Sequence, residues 1–147
     1  MRISIFTAIF LFVSAFAYSQ SNEEMDLFMA REKADIGTAA VFALTAAGIE
    51  FPGSSNSAIE YINKNKWFKK EIKASDSLRA DYASYIIMRA FGQKGGIMYR
   101  ISSGPRYALK EMKYLQMVDE RVIPGKIISG EDFMILLSEY LSWKEEN

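Results

Sequence analysis

Apolar residues recur along this chain in two rhythms. From Ile3 to Val13 they run almost unbroken, interrupted only by Ser4 and Thr7. Further on they return at helical spacing. Ala39, Phe42, Ala43, Ala46 and Ala47 stand at i, i+3, i+4, i+7 and i+8, one buried face of a helix. Gly48 follows where a C-terminal glycine cap belongs. Upstream, Asn22 can cap a helix with Glu23 and Glu24 in its first turn, leading into an amphipathic piece from Met25 to Arg31. Phe51-Pro52-Gly53-Ser54-Ser55-Asn56-Ser57 reads as a loop. Two later faces, 83/86/87/90/91 and 133/136/137/140/141, predict helices over about Ala80–Phe91 and Gly130–Trp143. Shorter helices over about Ser57–Lys66 and Pro105–Met117 precede them. Between the pairs, Gly92-Gln93-Lys94-Gly95-Gly96 and then Ile97–Ile101 suggest a turn into a short strand or extended connector, closed by Ser102-Ser103-Gly104-Pro105. The expected class is mainly α, a small domain of helix–loop–helix units.

The first rhythm is too short for a bilayer-spanning helix, which needs about 20 apolar residues. Met1-Arg2 supplies a charged start, and Ser14-Ala15-Phe16-Ala17 ends the run with small residues where a signal peptidase cuts. Residues 1–17 therefore read as a cleavable secretory signal, and 18–147 as a single domain in the periplasm or at the cell surface. No second stretch is apolar enough to span, so no stable membrane span is expected after cleavage. The chain has no cysteine, so no lipid-bearing cysteine can follow the signal.

The second rhythm repeats. Residues 57–91, shifted by 50, fall on 107–141 without a gap. Ala58 lands on Ala108, Ile62 on Met112, Trp67 on Met117, Ile72 on Val122, Ile86 on Leu136 and Ile87 on Leu137. Gly48 matches Gly92 at an offset of 44, which suggests a truncated third unit over about 24–48. A lone helical hairpin cannot bury its apolar face, so such units pack on one another.

Composition narrows the chemistry. Basic and acidic residues balance at 18 each over the whole chain, and Arg2 is the only charge within 1–17. That balance gives no global reason to expect nucleic acid or an anionic membrane. Without histidine or cysteine, Ser-His-Asp, Cys-His and zinc chemistry are excluded. Carboxylate pairs, Ser–Lys and Tyr–Lys remain. There is no S-x-x-K, and the adjacent acids Asp119-Glu120 and Glu131-Asp132 do not by themselves form a catalytic pair. Neither a P-loop nor any cofactor motif is present. No catalytic residue, metal site or cofactor is expected.

A helix, a loop and then a helix opened by Leu78-Arg79-Ala80-Asp81 resembles the S-layer homology repeat, a module of about 50 residues whose second helix opens on Thr-Arg-Ala-Glu. Arg79 and Ala80 match that motif, and Asp81 replaces its glutamate. The second unit departs from it: Ile128-Ser129-Gly130-Glu131 carries Ser129 in the arginine's place. The N-terminal stretch has no copy at the offset its helix face prefers, and Lys33-Ala34-Asp35 fits only by spoiling that face. The segment Gly95–Tyr99 leading into Gly104–Ala108 also resembles small exported spirochaete proteins of unknown function, which implies a double-membraned cell.

The S-layer resemblance implies an exported, non-catalytic protein that binds anionic wall-linked polysaccharide in grooves between repeats, with Arg79 contacting an acidic group of the sugar. One such arginine per chain implies weak attachment unless the protein oligomerises. A guanidinium can grip a carboxylate in bidentate fashion, and Asp81 is its neighbour in the motif. Arg79 equally fits a structural ion pair at a helix start. Lys64, Lys66, Lys69, Lys70 and Lys73 crowd Trp67 and Phe68, so Lys69 and Lys70 are candidate anion contacts, whereas the two aromatics align with apolar Met117 and Val118 and fit the core better. Arg100 and Arg106 flank the glycine-rich connector and could line a ligand groove. The expected partner is a cell-wall polysaccharide or an envelope protein held by the same repeats. An adaptor would show an exposed apolar patch, and a small hydrolase two converging acids with one raised pKa.

Overall fold

A computed structural model describes residues 22–147. Within them the fold is mainly helical: residues 22–29 (α1), Ile36–Ala46 (α2), Ser55–Lys64 (α3), Ala80–Ala90 (α4), Ile97–Ile101 (α5), Pro105–Tyr114 (α6) and Gly130–Glu146 (α7). No strand is present among the described residues, only two isolated antiparallel bridges, Asp35 with Ser77 and Arg79 with Ile127. The signal expected over 1–17 lies outside the described residues.

α3–α4 and α6–α7 share an element order, helix, loop of fifteen residues, helix. α1–α2 repeats that order with a linker of six residues, 30–35. The three second helices start side by side. Leu78 N–H donates to the Ala34 carbonyl (2.8 Å), Ala34 N–H to Ile128 (3.0 Å) and Ile128 N–H to Leu78 (3.1 Å). These three bonds close a ring. Two residues on, Ile36, Ala80 and Gly130 each donate to the neighbouring loop, at Asp76, Lys126 and Arg31 (2.8–3.0 Å). Each second helix packs on the first helix of the next pair: α2 on α3, and α4 on α6. α7 completes the cycle on α1, where the Phe28 and Phe133 rings meet edge to face at 5.9 Å.

The core is continuous through this arrangement. Phe28, Ile36, Leu44, Ile62, Leu78, Ile86, Ile87, Leu109, Met112, Phe133 and Tyr140 are fully buried. Each large apolar side chain so buried contributes about 1.5–3 kcal/mol relative to an exposed one. The expected faces of α4 and α7 are the buried ones: 83, 86 and 87 on one, and 133, 136, 137 and 140 on the other.

Three expectations need correction. The buried face of α2 is Ile36, Gly37, Ala39, Ala40, Ala43 and Leu44, while Ala46 is exposed. The loop before α3 ends at Ser54, because Ser54 and Ser57 form a capping box that starts the helix there (3.0 and 3.1 Å). Residues 97–101 form a helical turn, not a strand. Tyr99 is buried beneath it, its ring against Gly95 at φ +59°, where a side chain would collide with that ring.

Candidate functional site

The residues that follow the three ring members differ in kind but share one backbone state. Asp35, Arg79 and Ser129 are the N-caps of α2, α4 and α7, all extended. Asp35 accepts from Thr38 N–H (2.7 Å), and Ser129 forms a capping box with Asp132 (3.0 and 3.3 Å). Arg79 makes no cap with its side chain. A cation is a poor choice here, since it accepts no N–H and opposes the positive end of the helix dipole. Asp81 in the first turn offsets the charge. Its carboxylate takes Arg79 Nε at 3.0 Å and Nη2 at 2.6 Å, and Oδ1 also accepts the Gly125 N–H at 3.1 Å. That hydrogen bonding pushes the Arg79 pKa up from its ordinary value.

Of the two roles expected of Arg79, the geometry shows the structural one. It holds a structural ion pair, yet 40% of its side chain stays exposed while that of Asp81 is 4% exposed. The guanidinium lies 4.4 Å over the Tyr82 ring. Tyr82 packs on Phe68 at 4.7 Å, and Phe68 on Tyr85 at 5.2 Å. Tyr85 O–H donates to the Trp67 carbonyl (2.8 Å), fixing the loop that carries the lysines. Trp67 itself is buried against Tyr61, in keeping with a core role. Phe68 is half-buried and lines the surface.

Arg79 and these aromatics form the floor of an open cleft of about 420 Å³ between the α3–α4 loop, the start of α4 and residues 102–107. Lys69, Lys70 and Arg106 stand on its rim, and Asp81 is the only acid lining it. With Asp81 neutralised by Arg79, three cations remain unbalanced. A second cavity of about 490 Å³ adjoins it across Trp67, Phe68, Lys69, Tyr85 and Ser103, and adds Lys66, Glu71 and Arg89. Five of the six candidate residues, Arg79, Asp81, Lys69, Lys70 and Arg106, thus line one cleft. Arg100 does not; it lies exposed on α5. Asp81 is too buried and too fully bonded to act as a direct contact. Tyr82, Tyr107 and Phe68 complete the lining. Phe68 had been assigned to the core, and no motif marked the two tyrosines, whose placement depends on the approach of the 102–107 loop.

The corresponding groove over α7 is smaller, about 190 Å³. At an offset of 50, Val118 stands for Phe68, Asp119 for Lys69, Asp132 for Tyr82, Ile135 for Tyr85 and Glu139 for Arg89, and all five line it. Asp119 is held down to about 2 by its hydrogen bonds from Arg121. Among the described residues no group of three or more His, Cys, Asp or Glu is placed to hold a metal ion. No helix among them is long and apolar enough to cross a membrane.

No protein-family model matches this chain, and no curated protein or solved structure matches it either.

Proposed function

We propose that this chain is a non-catalytic envelope protein that holds an anionic, wall-linked polysaccharide in the cleft between α4 and α6. The observation that carries the reading is Arg79 at a helix N-cap. Its position defies both capping and dipole preference, it is held by a buried aspartate, and it faces a cleft with three further cations. Asp81 occupies Nε and Nη2, and no hydrogen bond among the described residues takes Nη1. The arginine is thus pre-set in one geometry with an edge left for a sugar carboxylate, which lowers the entropy cost of binding. Tyr82, Phe68 and Tyr107 supply flat surfaces on which a pyranose ring can lie. The S-layer homology resemblance of Leu78-Arg79-Ala80-Asp81 supports the same reading, as does the leader-like start of the chain.

The test is co-sedimentation with purified cell-wall sacculi. Arg79→Ala alone is ambiguous, because it also strips the buried Asp81 of its partner. The decisive variant is Lys69→Gln with Lys70→Gln and Arg106→Gln, three exposed positions that leave the fold intact. Wild type should pellet with sacculi and be released by salt, since exposed charge contacts are screened. The triple variant should lose about tenfold or more in affinity, each charge–anion contact being worth roughly 0.5–1 kcal/mol at an exposed site. Retention of the triple variant at wild-type strength would reject the cleft as the site.

A second reading, an adaptor for another envelope protein, draws on the groove over α7. Its apolar floor and rim of Asp119, Asp132 and Glu139 suit a basic, apolar segment of a partner. Failure of wild type to pellet with sacculi would favour it.

A further inference from the structure

Charge is balanced over the chain, but one stretch is not. Residues 82–110 contain Arg89, Lys94, Arg100, Arg106 and Lys110, and no aspartate or glutamate. The middle of this stretch projects three exposed apolar side chains from one short helix. On α5, Ile97 is 74% exposed, Met98 59% and Ile101 77%. They stand at i, i+1 and i+4, one side of a single helical turn. The opposite side is pinned: Tyr99 is buried, 6.3 Å from Tyr85 ring to ring, with Gly95 and Met88 against it. With that anchor, the three side chains cannot fold back onto the core. Tyr114, 82% exposed, stands one turn along α6 from Glu111, whose carboxylate lies against Gly96.

From this we infer that α5 is a membrane-surface docking turn, which inserts Ile97, Met98 and Ile101 between the headgroups of an anionic phospholipid bilayer while Lys94 and Arg100 contact their phosphates. Lys94 and Arg100 flank the exposed side chains, with the Glu111 carboxylate against Gly96. Exposed apolar residues beside cations are the pattern of a segment that lies in the interface, and Lys and Arg draw such a segment to an anionic surface. Ile97, Met98 and Ile101 line none of the five cavities found among the described residues. Insertion of one turn needs no spanning helix. The inference is independent of the cleft, because Lys94 and Arg100 do not line it.

The absence of cysteine allows a local readout. Full-length protein carrying Met98→Cys is labelled with an environment-sensitive fluorophore and mixed with vesicles of phosphatidylcholine containing phosphatidylglycerol. A second form carries the label at Glu60→Cys, an exposed position on α3. The label at 98 should brighten and shift to the blue with these vesicles and not with phosphatidylcholine alone, and the label at 60 should do neither. Adding Lys94→Gln and Arg100→Gln to the Met98→Cys form should weaken partitioning by about tenfold or more, at roughly a fivefold loss for each surface cation removed. All substituted positions are exposed, and circular dichroism checks that each variant is folded. No change at 98 with anionic vesicles overturns the inference, as does an equal change at 60. So does a shift at 98 that grows with protein concentration without lipid, which would assign the turn to contact between copies of the chain.

Discussion

The two fifteen-residue loops and the helices they lead into are built on one backbone plan and carry opposite chemistry. Over α4 the surface is Phe68, Lys69, Tyr82, Tyr85 and Arg89; over α7 the corresponding positions are Val118, Asp119, Asp132, Ile135 and Glu139. The buried positions beneath them agree in kind: Ala83, Ile86 and Ile87 against Phe133, Leu136 and Leu137. Packing holds the inner faces alike, whereas the outer positions differ in charge, even where Tyr85 and Asp132 also serve the fold. Two sites of opposite charge can therefore diverge on one scaffold without cost to the core. The contrast teaches where to look for function: at the positions that the shared plan leaves open.

The sharpest break in the correspondence is the residue after the N-cap. It is Ala80 on α4 and Gly130 on α7. A Cβ at 130 would fall 1.8 Å from the Phe28 carbonyl oxygen, so α1 and α7 approach too closely for any side chain. Gly130→Ala is expected to cost about 3 kcal/mol or more through forced separation of the two helices. Ala80→Gly should cost only about 1 kcal/mol, from propensity. Urea unfolding of both measures the asymmetry, and similar losses would deny the close contact.

A middle-sized effect separates the caps themselves. Arg79→Ala leaves Asp81 buried without its main partner and should cost about 2 kcal/mol, less than a fully buried pair because Arg79 is partly exposed. Ser129→Ala loses only its capping bonds, about 1 kcal/mol. The double variant Arg79→Ala with Asp81→Ala should recover part of the first loss. If it is no more stable than Arg79→Ala, the penalty comes from packing of Arg79 over Tyr82 and not from the stranded charge.

The smallest effect is set by two tyrosines, Tyr99 beneath α5 and Tyr140 on α7. Burial pushes each up to about 12, with no other cause at Tyr140. Their folded pKa lies above the unfolded value near 10, so the neutral form is favoured by folding. The stability they contribute is complete below about pH 10 and is lost as pH rises towards 12. Alkaline unfolding should begin within that window. Tyr140→Phe should delay it at the cost of the hydrogen bond to Gln93 (3.0 Å). An unchanged alkaline midpoint in that variant would show that Tyr140 is not titrating against the fold.

The α4 and α7 faces were legible in the sequence because apolar residues recur there at i, i+3, i+4 and i+7, although Tyr85 and Met88, outside the expected α4 face, are buried too. On α2 the same rule held only in part. Ala39 and Ala43 are buried as expected, but the face is rotated towards Ile36, Ala40 and Leu44 and away from Phe42 and Ala46. At residues 95–101 the glycines suggested extension, but the pull of Tyr99 into the core winds the chain into a turn. In the cleft, charges were legible as a cluster and their convergence was not. Lys69 and Arg106 are far apart in sequence and meet only because α6 packs on α4. Arg100 looked equivalent to Arg106 and was separated from it by the winding of α5. The offset of 50 sets Ser129 in the place of Arg79 from the sequence alone, whereas Asp35 is aligned with them only by its backbone state as the N-cap of α2.

The ring of three backbone hydrogen bonds also sets an order of events. Its members, Ala34, Leu78 and Ile128, are spread over nearly the whole described chain, and two of the three bonds depend on Ile128. A chain emerging N-terminus first from a ribosome can form at most the Leu78–Ala34 bond until Ile128 appears. Before then Phe28 lacks Phe133, and Gly130 is absent from the gap against α1. Closing so long a loop is entropically slow. The topology thus keeps the ring open until the segment around Ile128 is in place, and makes its closure a late step.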